Sequence, residues 1–268
     1  APLPSRHGIA MSPWITRVGA GPDLVLIHGW AMHGGIFAPL VDRLAAHFCL
    51  HLVDMPGHGH HQPYQPGSLQ PAQLALRIAE LTPPAHWIGW SLGGLVALHA
   101  ALDHPEQVRG LVALAANPCF VSAPDWPHGV AAQVFADFGN ALMQDFVAAI
   151  ERFLALETLG SANAQDELRQ LKAQVFAHGQ PDLRALQDGL ALLEEIDARA
   201  ALAGLCVPSL WIAGRRDRLV PASAMQWAAM QAPHGRFLQI SAGHAPFLSH
   251  ADEVATAIRE FVAAGGSA

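Results

Sequence analysis

The sequence predicts an α/β fold in which a mostly parallel sheet has helices on both faces. Of its 268 residues 51% are apolar and only 14% are charged, so the chain can bury a full core. Short apolar runs that end at turns alternate with segments whose apolar residues recur at helical spacing. Parallel strands require long crossover connections, and helices between the strands provide them.

The predicted elements follow this alternation along both ends of the chain. We predict strands over residues 24–28, 50–53, 86–90, 111–115, 209–213 and 237–240. Helices are predicted over residues 36–48, 69–81, 92–102 and 251–263. The alternation of strands and helices stops between residues 117 and 205. No convincing strand occurs there, and aromatic residues recur at helical spacing. We therefore predict a core of residues 11–117 and 206–268 with an inserted helical lid of residues 118–205.

Composition and charge exclude several classes of protein. The net charge is −7 and Lys172 is the only lysine, so no basic stripe for nucleic acid is visible. No apolar run approaches the roughly 18 residues of a membrane span. Cys49, Cys119 and Cys206 are widely separated, and we expect buried free thiols in a reducing, cytoplasmic location. Residues 1–10 are interpreted as a short tail or vector-derived residues before a start at Met11, and a monomer is expected.

The most informative motif is Gly89-Trp-Ser91-Leu-Gly93, which follows a predicted strand and opens a predicted helix. A serine at such a strand-to-helix turn is held with its hydroxyl exposed above the sheet, and the glycines allow close approach of neighbouring backbone. The alternative is a turn in which the serine only caps the helix. The strand and helix on either side favour a nucleophile.

A serine nucleophile needs a base and a carboxylate that orients the base. Asp217 follows the predicted strand 209–213, and His244 follows the strand 237–240, so both reach the edge of the sheet where Ser91 lies. Asp217 could instead pair with a neighbouring arginine, and His244 could be an ordinary turn histidine among the 16 in the chain. The order Ser, Asp, His at three strand ends predicts a catalytic triad.

Attack of a serine on a carbonyl group also needs two N–H groups directed at the oxyanion that develops. The amide of Leu92 follows the nucleophile, and the amide of Trp30 lies in the loop after the first predicted strand. We expect both in the oxyanion hole. The ring of Trp30 is free to serve separately as a core aromatic.

Two further patterns have less specific interpretations. His58, His60 and His61 form a cluster, but their spacing is poor for a closed metal site, and we expect no metal. Asp54 is an alternative triad acid, but it precedes the nucleophile and adjoins a Pro-Gly turn, which favours a role in fixing the loop.

These motifs together resemble the α/β-hydrolase superfamily. Within it, the segments 50–54, 89–97, 117–120, 151–156 and 244–247 are similar to the pimeloyl-[acyl-carrier protein] methyl ester esterase family of biotin synthesis. The resemblance covers about residues 14–262, including the lid. It implies a carboxylesterase that needs no cofactor and removes the methyl group from a pimeloyl thioester on an acyl carrier protein.

The resemblance also implies which residues meet the substrate and the carrier. The substrate contacts it implies are Trp30, Ser91, Leu92, His244 and the lid residues Phe153, Leu154, Ala155, Leu156 and Glu157. Arg152 and Arg169 match arginines that engage the carrier protein, whereas two other lid positions where a basic residue is expected are Ala148 and Gln165.

The sequence is also compatible with other functions. A promiscuous short-chain carboxylesterase without a carrier-protein partner is one alternative, and an acyltransferase or C–C bond hydrolase on the same scaffold is another. A hydrolase-like receptor that binds an ester without turnover is the non-enzymatic alternative.

Overall fold

A seven-stranded sheet forms the centre of the computed structural model, which describes residues 12–60 and 64–265. The strands are β1 (Trp14–Gly19), β2 (Asp23–Ile27), β3 (Cys49–Asp54), β4 (Ala85–Trp90), β5 (Val108–Leu114), β6 (Ser209–Gly214) and β7 (Gly235–Ile240). Their order across the sheet is β1-β3-β2-β4-β5-β6-β7, and β1 pairs antiparallel with β3. The other recorded pairings are parallel. Residues 1–10, interpreted above as a tail, lie outside the described residues.

Helices connect the strands and cover the sheet. They are α1 (Ala38–Leu44), α2 (Pro71–Leu81), α3 (Leu92–Asp103), α4 (Ala132–Gln144), α5 (Phe146–Thr158), α6 (Ala164–Val175), α7 (Leu183–Glu195), α8 (Ala222–Gln231), α9 (Pro246–Ser249) and α10 (Ala251–Gly265). Helix α1 packs beside α10 and α2 beside α3, while β5 contacts both α3 and α10. Among the described residues, no helix combines the length and apolar character needed to cross a membrane.

Burial explains why the central strands read as continuous apolar runs. Every residue of β3, β4 and β6 is buried, as expected for parallel strands that helices cover on both sides. The six strands predicted from the sequence are confirmed, with ends that shift by a few residues. The C-terminal ends of β4, β6 and β7 therefore meet at one edge of the sheet.

Outside the inserted segment, strand β1 and helices α8 and α9 were not predicted, and one helix is shorter than predicted. Strand β1 lies at the edge of the sheet, and all of its residues are exposed or half-buried, so it lacks an apolar run. Helix α8 is rich in alanine, so its sequence lacks a clear stripe of large apolar residues. The helix predicted over 36–48 is wrong in extent: a 3₁₀ turn at Gly34–Phe37 precedes α1, which ends at Leu44. Pro39 in the first turn fits this later start, since proline favours the first helical positions.

The prediction of three buried thiols is wrong for one of them. Cys49 and Cys119 are buried free cysteines, but Cys206 is exposed. Cys206 follows a 3₁₀ segment at Arg199–Gly204, and its Sγ lies 3.3 Å from the Gly204 carbonyl at the surface. Apolar sequence neighbours therefore do not place this thiol in the core.

The segment 118–205, all of it described, contains α4 to α7 and contributes no strand to the seven-stranded sheet. Helix α4 packs against α5 and α7, and α5 packs against α6. Asp145 and Asp182 cap the N-termini of α5 and α7 with their carboxylates, which fixes where these helices begin. The segment reconnects to the sheet at β6.

We expect Leu26→Ala to lower the free energy of unfolding by about 2–5 kcal/mol, because Leu26 is fully buried in β2 and truncation leaves a cavity. Leu81→Ala is the matched control, since Leu81 is 52% exposed, and it should change that free energy by less than about 0.5 kcal/mol. Urea unfolding of both variants measures this. Equal losses would contradict the assignment of β2 to the core.

Candidate active site

Ser91 occupies a strained turn between β4 and α3. Its φ of 53° and ψ of −120° lie where a non-glycine residue is rarely found. The Ser91 amide donates to the Leu114 carbonyl (3.0 Å), and the Ser91 carbonyl accepts from the Gly94 amide (2.8 Å). These bonds hold the turn in place. Strain that the surrounding structure maintains in this way is typical of a functional residue.

The glycines on either side of Ser91 are required by close backbone contacts. A Cβ at Gly89 would lie 2.3 Å from the Gly93 carbonyl oxygen, and a Cβ at Gly93 would lie 2.3 Å from the Ile27 carbonyl oxygen. Neither contact is possible for a larger residue without a shift of backbone. The glycines of the GxSxG motif are thus needed because the turn packs closely on itself and on the end of β2.

A hydrogen-bond chain connects the three residues predicted as a triad. His244 Nε2 lies 3.0 Å from Ser91 Oγ, and His244 Nδ1 lies 2.8 Å from Asp217 Oδ2. All three residues are buried. The structure therefore brings together three side chains that are 126 and 27 positions apart along the chain (217 − 91 and 244 − 217).

The loop that carries Asp217 leaves one carboxylate oxygen for His244. Asp217 Oδ1 accepts from the amides of Leu219 (2.8 Å) and Val220 (2.9 Å), and Oδ2 faces the imidazole. The neighbouring Arg215 donates instead to Ser241 Oγ (3.1 Å). Asp217 is thus oriented by backbone amides and has no recorded salt bridge to an arginine among the described residues.

His244 is fixed through its backbone as well as its ring. Its amide donates to the Glu157 carbonyl (3.2 Å), and its carbonyl accepts from the Trp90 indole Nε1 (2.8 Å). Burial disfavours the imidazolium, but the charge and hydrogen bond of Asp217, together with the nearby Glu157 carboxyl, outweigh burial and raise the pKa of His244. The sequence analysis did not predict this hydrogen bond from Trp90 to His244. Its only signal in the sequence is the position of Trp90 within the GxSxG motif.

The predicted oxyanion amides lie on segments that adjoin Ser91. Leu92 is the first residue of α3, directly after the serine. A Cβ at Gly29 would lie 3.2 Å from Ser91 Cβ, so the loop that carries Trp30 passes beside Ser91. The Trp30 ring is buried against Phe153, with ring centroids 4.4 Å apart, and its Nε1 donates to the Leu186 carbonyl (2.8 Å). The oxyanion role of both amides stays a prediction.

The residues of α5 that the resemblance implies as substrate contacts differ in how deeply they are buried. Phe153 contacts the Trp30 ring, and Glu157 lies beside His244 with Oε1 3.9 Å from Nε2. Leu154 is buried, Leu156 is half-buried, and Ala155 is exposed on the outer side of α5. The structure therefore brings Phe153 and Glu157 to the site, and it gives Ala155 no such position.

The four lid positions considered for carrier binding are all exposed. Arg152 lies on α5 with its guanidinium 5.8 Å from the centre of the Phe138 ring, and Arg169 on α6 pairs with Asp166 (3.0 Å). Ala148 and Gln165 are exposed on the same two helices. Two of the four positions thus present a positive charge to solvent.

Asp54 fixes a loop and does not contact the Ser91–His244 pair. Its Oδ1 accepts from the Gly34 amide (2.6 Å), and its Oδ2 accepts from the His60 amide (2.8 Å). Burial opposes its ionisation, yet His28 and the amide donors lower the pKa of Asp54 below its usual value. The interpretation of Asp54 as a loop-fixing residue agrees with these contacts.

Among the described residues, the potential metal ligands that lie close together do not include the histidines at positions 58 and 60. His58 is buried, His60 contacts Asp54, and His61 lies outside the described residues. In the described ranges, the group of ligand atoms within 4.8 Å of one another is Asp23, Cys49 and His51, at the opposite edge of the sheet from Ser91. Arg17 Nη2 lies 3.6 Å from Cys49 Sγ, and this positive charge disfavours a cation there.

Comparison with known proteins identifies the family. The model of the alpha/beta hydrolase fold family matches residues 22–251. The chain is an alpha/beta hydrolase. It is 58% identical over 252 residues to a protein of Xanthomonas campestris pv. campestris (strain B100) named pimeloyl-[acyl-carrier protein] methyl ester esterase, covering 93% of this chain and 98% of that one. A protein of the same name from Stenotrophomonas maltophilia (strain K279a) is also 58% identical, over 93% of this chain and 96% of its own.

Solved structures agree with this hydrolase fold. An esterase from Exiguobacterium antarcticum superposes with a TM-score of 0.85 at 19% identity, covering 93% of this chain and 95% of that one. An enol-lactonase from Burkholderia xenovorans LB400 superposes with a TM-score of 0.81 at 19% identity, covering 94% and 96%. At these identities the likeness establishes the fold, which serves many reactions.

We expect Gly93→Ala to destabilise this hydrolase by about 3 kcal/mol or more, because the added Cβ meets the carbonyl oxygens of Ile27 and His28. Gly139→Ala is the control: a Cβ there has no neighbour within 4 Å, and alanine favours the helix, so stability should rise by up to about 1 kcal/mol. Thermal unfolding compares the two. A tolerated Gly93→Ala would show that the turn does not depend on this approach.

Proposed function

We propose that Ser91, His244 and Asp217 form the catalytic triad of a serine carboxylesterase. The observation that carries the proposal is the hydrogen-bond chain from Ser91 Oγ through His244 to Asp217, with distances of 3.0 and 2.8 Å. This is the geometry that serine hydrolases of unrelated folds share. The relatives at 56–58% identity, which are named as esterases, support the same chemistry.

The reaction follows from the positions of these groups. His244 Nε2 takes the proton of Ser91 Oγ as that oxygen attacks the ester carbonyl carbon, and Asp217 stabilises the imidazolium that forms. The amides of Leu92 and Trp30 bind the oxyanion. His244 then protonates the departing alcohol. A water that His244 activates hydrolyses the acyl-enzyme and returns the proton to Ser91.

The substrate we propose is the methyl ester of pimeloyl-[acyl-carrier protein]. The relatives named for this activity match 93% of the chain, so the similarity includes the inserted helices, which meet the site at Phe153 and Glu157. We propose that residues 118–205 form a lid over the acyl chain. The exposed charges of Arg152 and Arg169 suit an acidic carrier.

A general carboxylesterase without a carrier partner is the second candidate. The observation in its favour is that Ala148 and Gln165, which lie exposed on α5 and α6, carry no charge. A surface with two arginines instead of four binds an acidic partner less strongly. The cytoplasmic location and the monomeric state stay predictions.

We expect Ser91→Ala to lower the hydrolysis rate of p-nitrophenyl butyrate by roughly 10⁶-fold, because the nucleophile is absent. Asp217→Asn should lower it by roughly 10⁴-fold, since an amide favours the wrong imidazole tautomer. Circular dichroism checks that both variants stay folded. Substantial esterase activity in folded Ser91→Ala would exclude Ser91 as the nucleophile.

For the carrier-bound substrate, we expect Arg169→Ala to raise KM about fivefold at low salt, with a smaller effect at high salt because ions screen exposed charges. Arg77→Ala is the matched control: Arg77 on α2 forms an exposed pair with Glu80 (3.0 Å), as Arg169 does with Asp166 (3.0 Å). Demethylation of pimeloyl-carrier-protein methyl ester measures both. Equal effects of the two substitutions, or KM independent of salt, would favour the general carboxylesterase.

A further inference from the structure

The carboxyl group of Glu157 is buried beside His244 without a hydrogen bond. Glu157 lies on α5, is 1% exposed, and neither of its carboxylate oxygens has a hydrogen-bond partner among the described residues. Removing a carboxylate from water without such partners is strongly unfavourable. The protonated, neutral form of Glu157 is therefore favoured in the folded protein.

The charges around Glu157 are few. His244 and Asp217 are the titratable groups whose charges act on it, and burial together with Asp217 outweighs His244 and raises the pKa of Glu157 to about 8. Charged residues on the adjoining helices have partners of their own: Glu167 with Ser161, Lys172 with Glu151, Arg169 with Asp166, and Asp137 with Gln133. Arg152 stacks on Phe138. Among the described residues, no arginine or lysine lies within salt-bridge distance of the Glu157 carboxyl, and His244 Nε2 lies 3.9 Å from it.

The distance between Glu157 and His244 suits a single bridging water. Oε1 lies 3.9 Å from Nε2, too long for a direct hydrogen bond, and a water at about 2.8 Å from each atom spans such a gap. Nε2 also faces Ser91 Oγ at 3.0 Å. A water in this position would therefore contact the atom that removes its proton and lie close to the acyl group on Ser91.

We propose that Glu157, as a neutral carboxylic acid, positions the water that hydrolyses the acyl-enzyme, and that ionisation of Glu157 slows this step. The inference rests on the proposed ester hydrolysis. The acid offers the water one donor and one acceptor. In the step, Nε2 takes a proton from the water as its oxygen bonds to the acyl carbonyl carbon. The bond from that carbon to Ser91 Oγ then breaks, the proton passes from Nε2 to Oγ, and Glu157 keeps its own proton throughout.

Ionisation of Glu157 would hinder the step in two ways. The carboxylate loses its O–H donor, and its negative charge lies beside the negative charge that develops on the attacked ester. The same charge stabilises the imidazolium form of His244, which cannot act as a base. The neutral acid therefore acts as a positioning residue whose effect depends on pH.

The test compares wild type, Glu157→Gln and Glu157→Leu with p-nitrophenyl butyrate between pH 5 and 10. Wild-type kcat should rise as His244 loses its proton and fall again as Glu157 ionises near pH 8. Glutamine keeps the size, the donor and the acceptor but cannot ionise, so Glu157→Gln should retain kcat at pH 7 within about threefold and lose the alkaline fall. Glu157→Leu should show a burst of nitrophenol at an unchanged rate, followed by steady turnover at least tenfold slower.

Several results would overturn the inference. An alkaline fall that persists in Glu157→Gln excludes Glu157 as its origin, and a large loss of activity in that variant at pH 7 shows that the carboxylate is the active form. Equal slowing of burst and steady turnover in Glu157→Leu indicates a structural role. If the leucine variant does not fold, the pH profile of Glu157→Gln decides alone. Absence of esterase activity in wild type would instead defeat the proposed function.

Stability provides an independent readout of the proton on Glu157. The raised pKa means that the folded state keeps a proton that the unfolded chain releases above about pH 4.5, so the contribution of Glu157 to stability is full below that pH and is lost as pH rises toward 8. Wild-type Cm in urea should therefore fall relative to Glu157→Gln between pH 5 and 8. Parallel curves for the two proteins would exclude a buried neutral acid.

Discussion

The close approach of the β4–α3 turn to the end of β2 is the constraint on which the site depends. Gly93 lies so near the carbonyls of Ile27 and His28 that a methyl group would collide with both. The same contact places the start of α3 beside the loop that carries Trp30. Ser91 precedes Gly93 by two residues, has a φ of 53°, and lies at the edge of the sheet where β6 and β7 also end. This close contact therefore holds the turn that carries Ser91 and Leu92 beside the loop that carries Trp30.

Much of the core could be predicted because its physical causes are local. Parallel strands under two helical layers bury every side chain, which leaves an uninterrupted apolar run in the sequence. The turns that end these runs carry Ser91, Asp217 and His244, and parallel topology requires that such ends meet. Sequence order alone therefore placed three distant residues at one edge, where the structure has them within hydrogen-bond distance.

Other features have no local signature. Edge strand β1 meets solvent on one side, so it lacks the apolar run of a central strand. Cys206 has apolar neighbours in sequence but turns outward after a 3₁₀ segment. Glu157 lies near the end of an amphipathic helix, where a glutamate is expected to face solvent. Its burial arises because α5 packs its last turn against the His244 loop, a tertiary contact that only the resemblance indicated.

The inserted helices are attached to the core through the loops that form the site. The Glu157 carbonyl accepts from the His244 amide, the Leu186 carbonyl accepts from the Trp30 indole, and the Asp182 amide donates to the Gly57 carbonyl. Helices α5 and α7 therefore cannot move away without releasing hydrogen bonds to His244, Trp30 and Gly57. Buried donors and acceptors that lose partners are costly unless water or substrate replaces them. The positions of α5 and α7 and the orientation of His244 are coupled for this reason, and the groups that these helices contribute to the coupling are backbone carbonyls and a backbone amide.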